Sequence, residues 1–99
     1  LRAYAGGIFP MADARDAAGV FWVDPKRRGI LPLDGFHLSG SLAKALKAKR
    51  LEHSADRAFP EVMRRCAEAA PDRPDTWING EIFDAYCALH AQGDAHSVE

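Results

Sequence analysis

Cysteine is scarce in this chain: Cys66 and Cys87 are the only two among 99 residues, and they form no Cys-x-x-Cys pair. A reduced, cytoplasmic setting is the simplest reading. No stretch of about 18 apolar residues is present to span a bilayer, and the opening residues lack the charged-then-apolar pattern of a signal peptide. No membrane partner is therefore expected. There is no internal repeat and no low-complexity tract, so the chain is read as ordinary globular sequence. Cys87, His90 and His96 fall close together, but no second ligand pair accompanies them, and a structural zinc needs four ligands. Metal is not expected. Cys66 has no base beside it to make it a nucleophile, and its helical apolar neighbours favour a buried structural thiol. His37 and His53 have no visible partner.

What the chain does have is 47% hydrophobic and 27% charged residues, enough for one small domain, or one domain plus the opening elements of a second. A chain of this size buries roughly two-thirds of its unfolded surface, so the core is thin. The net charge of -1 conceals an uneven distribution. Residues 26–50 carry seven basic groups and one acidic group, whereas residues 51–99 carry four basic and ten acidic. The middle quarter is thus the electropositive part. Such a patch attracts a polyanion even on a slightly acidic molecule, because phosphate contacts act within a Debye length of roughly 8–10 Å. A solvated basic helix is the plain alternative.

Along the chain, Leu1–Ala5 reads as the last turn of a helix closed by Gly6-Gly7. Val20–Val23 reads as a short strand ended by Asp24-Pro25, and Gly29–Leu33 as a second, at an edge because Pro32 cannot donate to a ladder. These two are expected to form a hairpin. Ser39 or Ser41 can cap a helix running to about Arg50, with Leu42 and Leu46 on its buried side. Leu51–Ala55 suits a strand, and Asp56 an N-cap for a helix to about Ala69 with Pro60 in its first turn. Asn79–Gln92 is a further helix stopped by Gly93, and Ala95–Val98 opens a strand. Alternation there puts Ser97 and Glu99 on the face opposite Val98. The order fits a small amino-terminal α+β domain over 1–50 and the start of a larger unit over 51–99.

Four segments, taken in order, carry more than this. They are Tyr4-Ala5-Gly6-Gly7-Ile8-Phe9-Pro10-Met11, Phe21-Trp22-Val23-Asp24-Pro25, Thr76-Trp77-Ile78 and Ala95-His96-Ser97-Val98-Glu99. Together they resemble the bacterial leucyl/phenylalanyl-tRNA-protein transferases. The resemblance covers the whole chain, and members of that family run to a little over twice this length, so an amino-terminal fragment is expected. It implies that the 51–99 unit is the first strand and helices of an acetyltransferase-like α/β domain, truncated here. It implies transfer of leucine or phenylalanine from its tRNA to the amino terminus of a protein beginning with Arg or Lys, which marks the acceptor for degradation. No cofactor is implied, and a monomer is expected.

The resemblance also assigns residues. The basic helix with Lys44, Lys47, Lys49 and Arg50, backed by Lys26, Arg27 and Arg28, is implied to meet the tRNA acceptor stem; helix lysines position a nucleic acid without reading its sequence. Trp77 is implied to line the pocket for the terminal aminoacyl-adenosine, although by residue type alone a tryptophan before a helix is more often a core anchor. Met11 stands where relatives commonly place a second tryptophan, and Gly40 where they often place a basic residue. Phe9 is placed at this site with Trp77 and Met11, while it and Trp22 are assigned mainly to packing. The family's groups for peptide-bond formation belong to the half that lies beyond these residues, so no catalytic residue is assigned and the fragment alone is expected to be inactive. A non-catalytic tRNA-binding module is the alternative.

Overall fold

Two glycines end the first helix and aim the chain into a hairpin. In the computed structural model, which describes residues 2–48 and 52–99, α1 (Arg2–Ala5) is closed by bonds from the Gly7 amide to the Tyr4 carbonyl (2.9 Å) and from the Ile8 amide to the Ala3 carbonyl (2.9 Å). Gly7 holds φ at 81°, a left-handed conformation that a side chain would penalise. The chain then enters β1 (Phe9–Met11), which pairs antiparallel with β2 (Phe21–Val23), with Pro10 opposite Trp22. Phe9 and Met11 fall on the other face of the ribbon from Pro10.

This pairing corrects the expected hairpin between 20–23 and 29–33. Residues 29–33 form no strand; Pro32 has no N–H to offer, and Ile30, Leu31 and Leu33 remain exposed. Residues 9–11 supply the partner instead.

Three helices complete the described elements: α2 (Gly40–Lys47), α3 (Phe59–Cys66) and α4 (Gly80–Ala91). Helices with a two-stranded antiparallel sheet make this a small α+β domain, as expected. The core gathers Ala12, Ala67, Ile78 and Ile82, with Ala17, Val20, Met63, Phe83 and Tyr86 packed around them. Ile82 is 1% exposed, and burying such a side chain contributes about 1.5–3 kcal/mol. The core thus joins the hairpin and its loop to α3 and α4. Tyr4 adds an edge-to-face contact with Tyr86, ring centroids 5.6 Å apart, which fastens α1 onto α4.

Helix ends follow local chemistry. The Asn79 side-chain oxygen accepts from the Ile82 amide at 3.0 Å to cap α4, and Gly93 at φ 79° ends it. Ser39 caps α2 as expected, accepting from the Leu42 amide at 3.3 Å. Leu42 and Leu46, however, are exposed rather than buried, because no described element is packed over that side of α2. Pro60 lies in the first turn of α3, but the N-cap is Ala58, which offers no side-chain bond. Asp56 is too far upstream to cap and turns its carboxylate to His96 and Ser97 instead. Cys66, expected to be buried, is exposed; Ala67 takes the core position. Among the described residues, the expected strands 51–55 and 95–98 meet as an antiparallel bridge between Ala55 and Val98; Leu51 lies outside the described residues.

Candidate functional site

The loop that carries Trp77 is stitched to the hairpin by backbone and buried side chains. The Ala12 amide donates to the Trp77 carbonyl at 3.0 Å, so Met11 and Trp77 lie one hydrogen bond apart along the backbone. Asp75 accepts from the amides of Thr76 (2.7 Å) and Arg15 (3.0 Å), and these two bonds hold its carboxyl below the usual carboxylate range. The Ile78 amide donates to the Thr76 hydroxyl at 3.2 Å. Asn79, buried, donates from Nδ2 to the carbonyls of Ala17 and Gly19, each at 3.0 Å, while its oxygen caps α4. One amide thereby fixes the hairpin loop, the Trp77 loop and the start of α4 together.

On this frame Trp77 keeps its side chain 38% exposed and flanked by buried Thr76 and Ile78. It is neither a core anchor nor a free surface residue, and an aromatic face so held suits a stacking ligand. Met11 and Phe9 are half-buried on β1. Trp22, read as packing, is 61% exposed. It lines a cleft of about 190 Å³ with Tyr4, Pro10, Tyr86 and Leu89. Sequence reasoning missed that role, and the cross-strand register with Pro10 is the feature that creates it.

The basic residues occupy a different element. Lys44 and Lys47 are exposed on α2, in its last turn, where positive charge also complements the helix dipole. Lys44 borders a shallow cleft with Ser41, Ala45 and Ala48. Lys49 and Arg50 lie outside the described residues. Arg28 is engaged within the domain, where its guanidinium donates to the Gly7 carbonyl at 2.6 Å and lies 3.7 Å from Asp24. It braces the turn ahead of β1.

A polar junction at 54–57 and 95–99 was not legible in the sequence. Asp56 accepts from His96 Nδ1 (2.8 Å) and from the Ser97 amide (2.9 Å). Glu99 accepts from the Arg57 amide (2.8 Å) and from the hydroxyls of Ser54 and Ser97 (both 2.9 Å). The sequence shows Ser97 and Glu99 on one face, but their partners across the junction are 40 or more positions away. Among the described residues no group of three or more His, Cys, Asp or Glu side chains is arranged to hold a metal.

Residues 30–99 match the sequence model of the family described as leucyl/phenylalanyl-tRNA protein transferase. The chain belongs to that family. Residues 1–26 match the model of the transferase N-terminal domain. Relatives named leucyl/phenylalanyl-tRNA–protein transferase are 59% identical in Rhizorhabdus wittichii, 58% in Zymomonas mobilis and 60% in a Ruegeria species, each over all 99 residues. Those matches cover 40%, 37% and 45% of the respective relatives. The chain therefore spans less than half the length of the curated transferases it matches. No solved structure matches it. Among the described residues no helix is long and apolar enough to cross a membrane.

Proposed function

We propose that this chain forms the amino-terminal, tRNA-engaging part of an aminoacyltransferase that moves leucine or phenylalanine from its tRNA to the amino terminus of proteins beginning with Arg or Lys, tagging them for degradation in the cytoplasm. The observation that carries the reading is the family match over 1–26 and 30–99. The stitched Trp77 loop, the half-buried Met11 and Phe9, and the exposed lysines of α2 agree with it. Lys44 and Lys47, with Lys49 and Arg50, track phosphates of the acceptor stem. Trp77, Met11 and Phe9 receive the terminal aminoacyl-adenosine.

The reaction is attack of a neutral α-amine on an aminoacyl ester. Binding aligns amine and ester, and preorganised donors steady the charge that develops on the ester oxygen. The groups that do this, and most of the pocket for the leucine or phenylalanine side chain, belong to an acetyltransferase-like unit that begins near residue 51 and continues beyond this chain. The protein acts as a monomer without a metal or organic cofactor. Residues 1–99 alone bind tRNA without transferring its amino acid.

The test is transfer of labelled leucine from leucyl-tRNA to a peptide with amino-terminal Arg, comparing residues 1–99 with the full-length protein. Transfer by the full-length protein alone supports the reading. A folded full-length protein that binds tRNA but transfers nothing leaves a non-catalytic tRNA-binding module.

A further inference from the structure

Among the described residues, hydrogen bonds tie the segment carrying α2 to the rest of the domain at two places. Before the helix, Arg28 reaches the Gly7 carbonyl. After it, the first such bonds are those of the 54–57 junction, where the Ser54 amide donates to the Glu99 carbonyl (2.7 Å), the Glu99 amide to the Ser54 carbonyl (3.0 Å) and the Asp56 amide to the Ser97 carbonyl (3.1 Å). The two carboxylates are reciprocal. Asp56 reaches across to His96 and Ser97, and Glu99 reaches back to Ser54 and Arg57.

Asp56 adopts this position at φ 60°, a left-handed conformation that residues with a side chain rarely take and that Asp, with a short polar side chain, takes when it is hydrogen-bonded. It is held there by its three bonds to 96–97, and the His96 bond is the one whose strength depends on a proton. With His96 protonated, the contact is a charge-assisted pair; with His96 neutral, it is at best an ordinary hydrogen bond. We propose that the junction is a pH-graded latch: protonated His96 clamps Asp56 and holds the carboxy-terminal side of the α2 segment on the body, and loss of that proton loosens the clamp while the backbone pairing persists.

The surroundings favour the charged pair. Asp56 and then Asp94 attract the His96 proton, through the hydrogen bond to Asp56 first, and raise its pKa from the ordinary 6.5. The same hydrogen bond, followed by that from the Ser97 amide, lowers the pKa of Asp56 from 3.8. From α4, His90 lies with Nδ1 3.8 Å from the Asp56 carboxylate and 2.9 Å from the Ala95 carbonyl, its ring stacked on Phe59 at 4.2 Å. On the far side of the pairing, burial pushes the Glu99 carboxyl up, but bonds from Arg57, Ser97 and Ser54 outweigh it and leave the pKa lowered. Glu99 thus stays ionised wherever the His96 proton comes and goes. The clamp from His96 is complete below about pH 6.5 and is lost as pH rises through its raised pKa; that from Asp56 is present above about pH 4 and is lost as pH falls through its lowered pKa. The latch is tightest in mildly acidic solution.

Hydrogen exchange in the full-length protein tests this, read at the Ser54, Asp56 and Glu99 amides and corrected for intrinsic rates. Between about pH 6 and about pH 8.5 their protection should fall about two- to fivefold, while that of the Ile82 amide in α4 stays constant. His96→Gln should flatten the profile at unchanged far-ultraviolet dichroism. A flat wild-type profile, an equal fall at Ile82, or a slope that survives His96→Gln overturns the latch. So does a wild-type His96 imidazole that titrates at or below about 6.5, a measurement that needs no variant.

Discussion

The Ala12 amide donates to the Trp77 carbonyl at 3.0 Å, and this bond brings the end of β1 to the loop ahead of α4. It links two segments 65 positions apart in a family whose sequence models separate them, one ending at residue 26 and the other beginning at 30. Ala12 and Ile78, on either side of the bond, are both in the core. The backbone at Met11 and Trp77 is thereby tied to the core, which is the kind of support the proposed ligand site requires.

The Asn79 side chain makes three of the hydrogen bonds that hold this loop to the hairpin and to α4. Asn79→Ala removes the α4 cap and leaves the carbonyls of Ala17 and Gly19 without their donor, so a loss of about 2–3 kcal/mol is expected. Asn79→Asp keeps the capping oxygen but sets a second carboxylate oxygen against the Ala17 and Gly19 carbonyls in a buried site, and should be at least as destabilising as Asn79→Ala. Denaturant midpoints of the full-length proteins give the order directly. Aspartate milder than alanine would mean that the cap outweighs the loop bonds.

Gly7 combines a positive φ of 81° with a crowded neighbour; a Cβ there would meet Arg28 Nη2 at 3.1 Å. Gly7→Ala should cost about 1–2 kcal/mol from the backbone alone, and it displaces the guanidinium that braces the turn. Arg28→Ala removes the brace without the backbone penalty and should be milder. Chemical denaturation of the two variants separates strain from bracing; equal losses would mean that the φ constraint adds nothing.

Legibility in the sequence divided along a physical line. Where a single residue type dictates the local backbone, pattern sufficed: Gly7 and Gly93 end helices, Ser39 caps α2, and Pro60 sits in a first turn. Where the outcome depends on which distant segment comes alongside, pattern was not enough. Residues 20–23 are strand-forming in either hairpin, and only tertiary packing chose 9–11 over 29–33. Asp56 has the right type for a cap, but a bond to His96, 40 positions away, competes for its carboxylate. Leu42 and Leu46 follow amphipathic spacing, yet spacing says which side of a helix is apolar and not what covers it. Of the proposed site, Trp77 and Met11 lay in family-like segments and the lysines in the basic stretch 26–50, while the exposed Trp22 and the bracing role of Arg28 emerged only from register and geometry.

On α2, charge can be removed or added without disturbing packing, because the helix buries no residue. Lys44→Ala with Lys47→Ala should weaken tRNA binding at low salt and lower the slope of log affinity against log salt by about 0.7–0.9 for each phosphate no longer neutralised. Gly40→Lys makes the complementary change. The substitution fits, since a Cβ at Gly40 meets nothing within 4 Å, and stability should change little, because at this first helical position the gain over glycine is offset by a cation at the positive end of the helix dipole. It should tighten tRNA binding and steepen the salt dependence. Filter binding across a salt series checks both, and unchanged affinity in the lysine double variant would remove α2 from the interface.

Substitutions at Trp77 and Met11 test the proposed adenosine pocket. Base stacking on an aromatic face is worth about 1–3 kcal/mol, so Trp77→Ala should weaken an aminoacyl-adenosine mimic such as puromycin about 5- to 150-fold, and Trp77→Phe should retain part of that affinity. Met11→Trp offers a flat platform where methionine gives only a polarizable contact, and it should strengthen binding if the side chain faces the ligand. Intrinsic tryptophan fluorescence reports each titration in the full-length protein, with exposed Trp22 among the sources of residual signal once Trp77 is gone. Stability should change little in Trp77→Phe, because the bond that fixes the loop runs through the Trp77 carbonyl and not its ring. A Trp77→Ala variant that binds puromycin as tightly as the wild type would return this tryptophan to a packing role and leave the terminal adenosine to a surface beyond this chain.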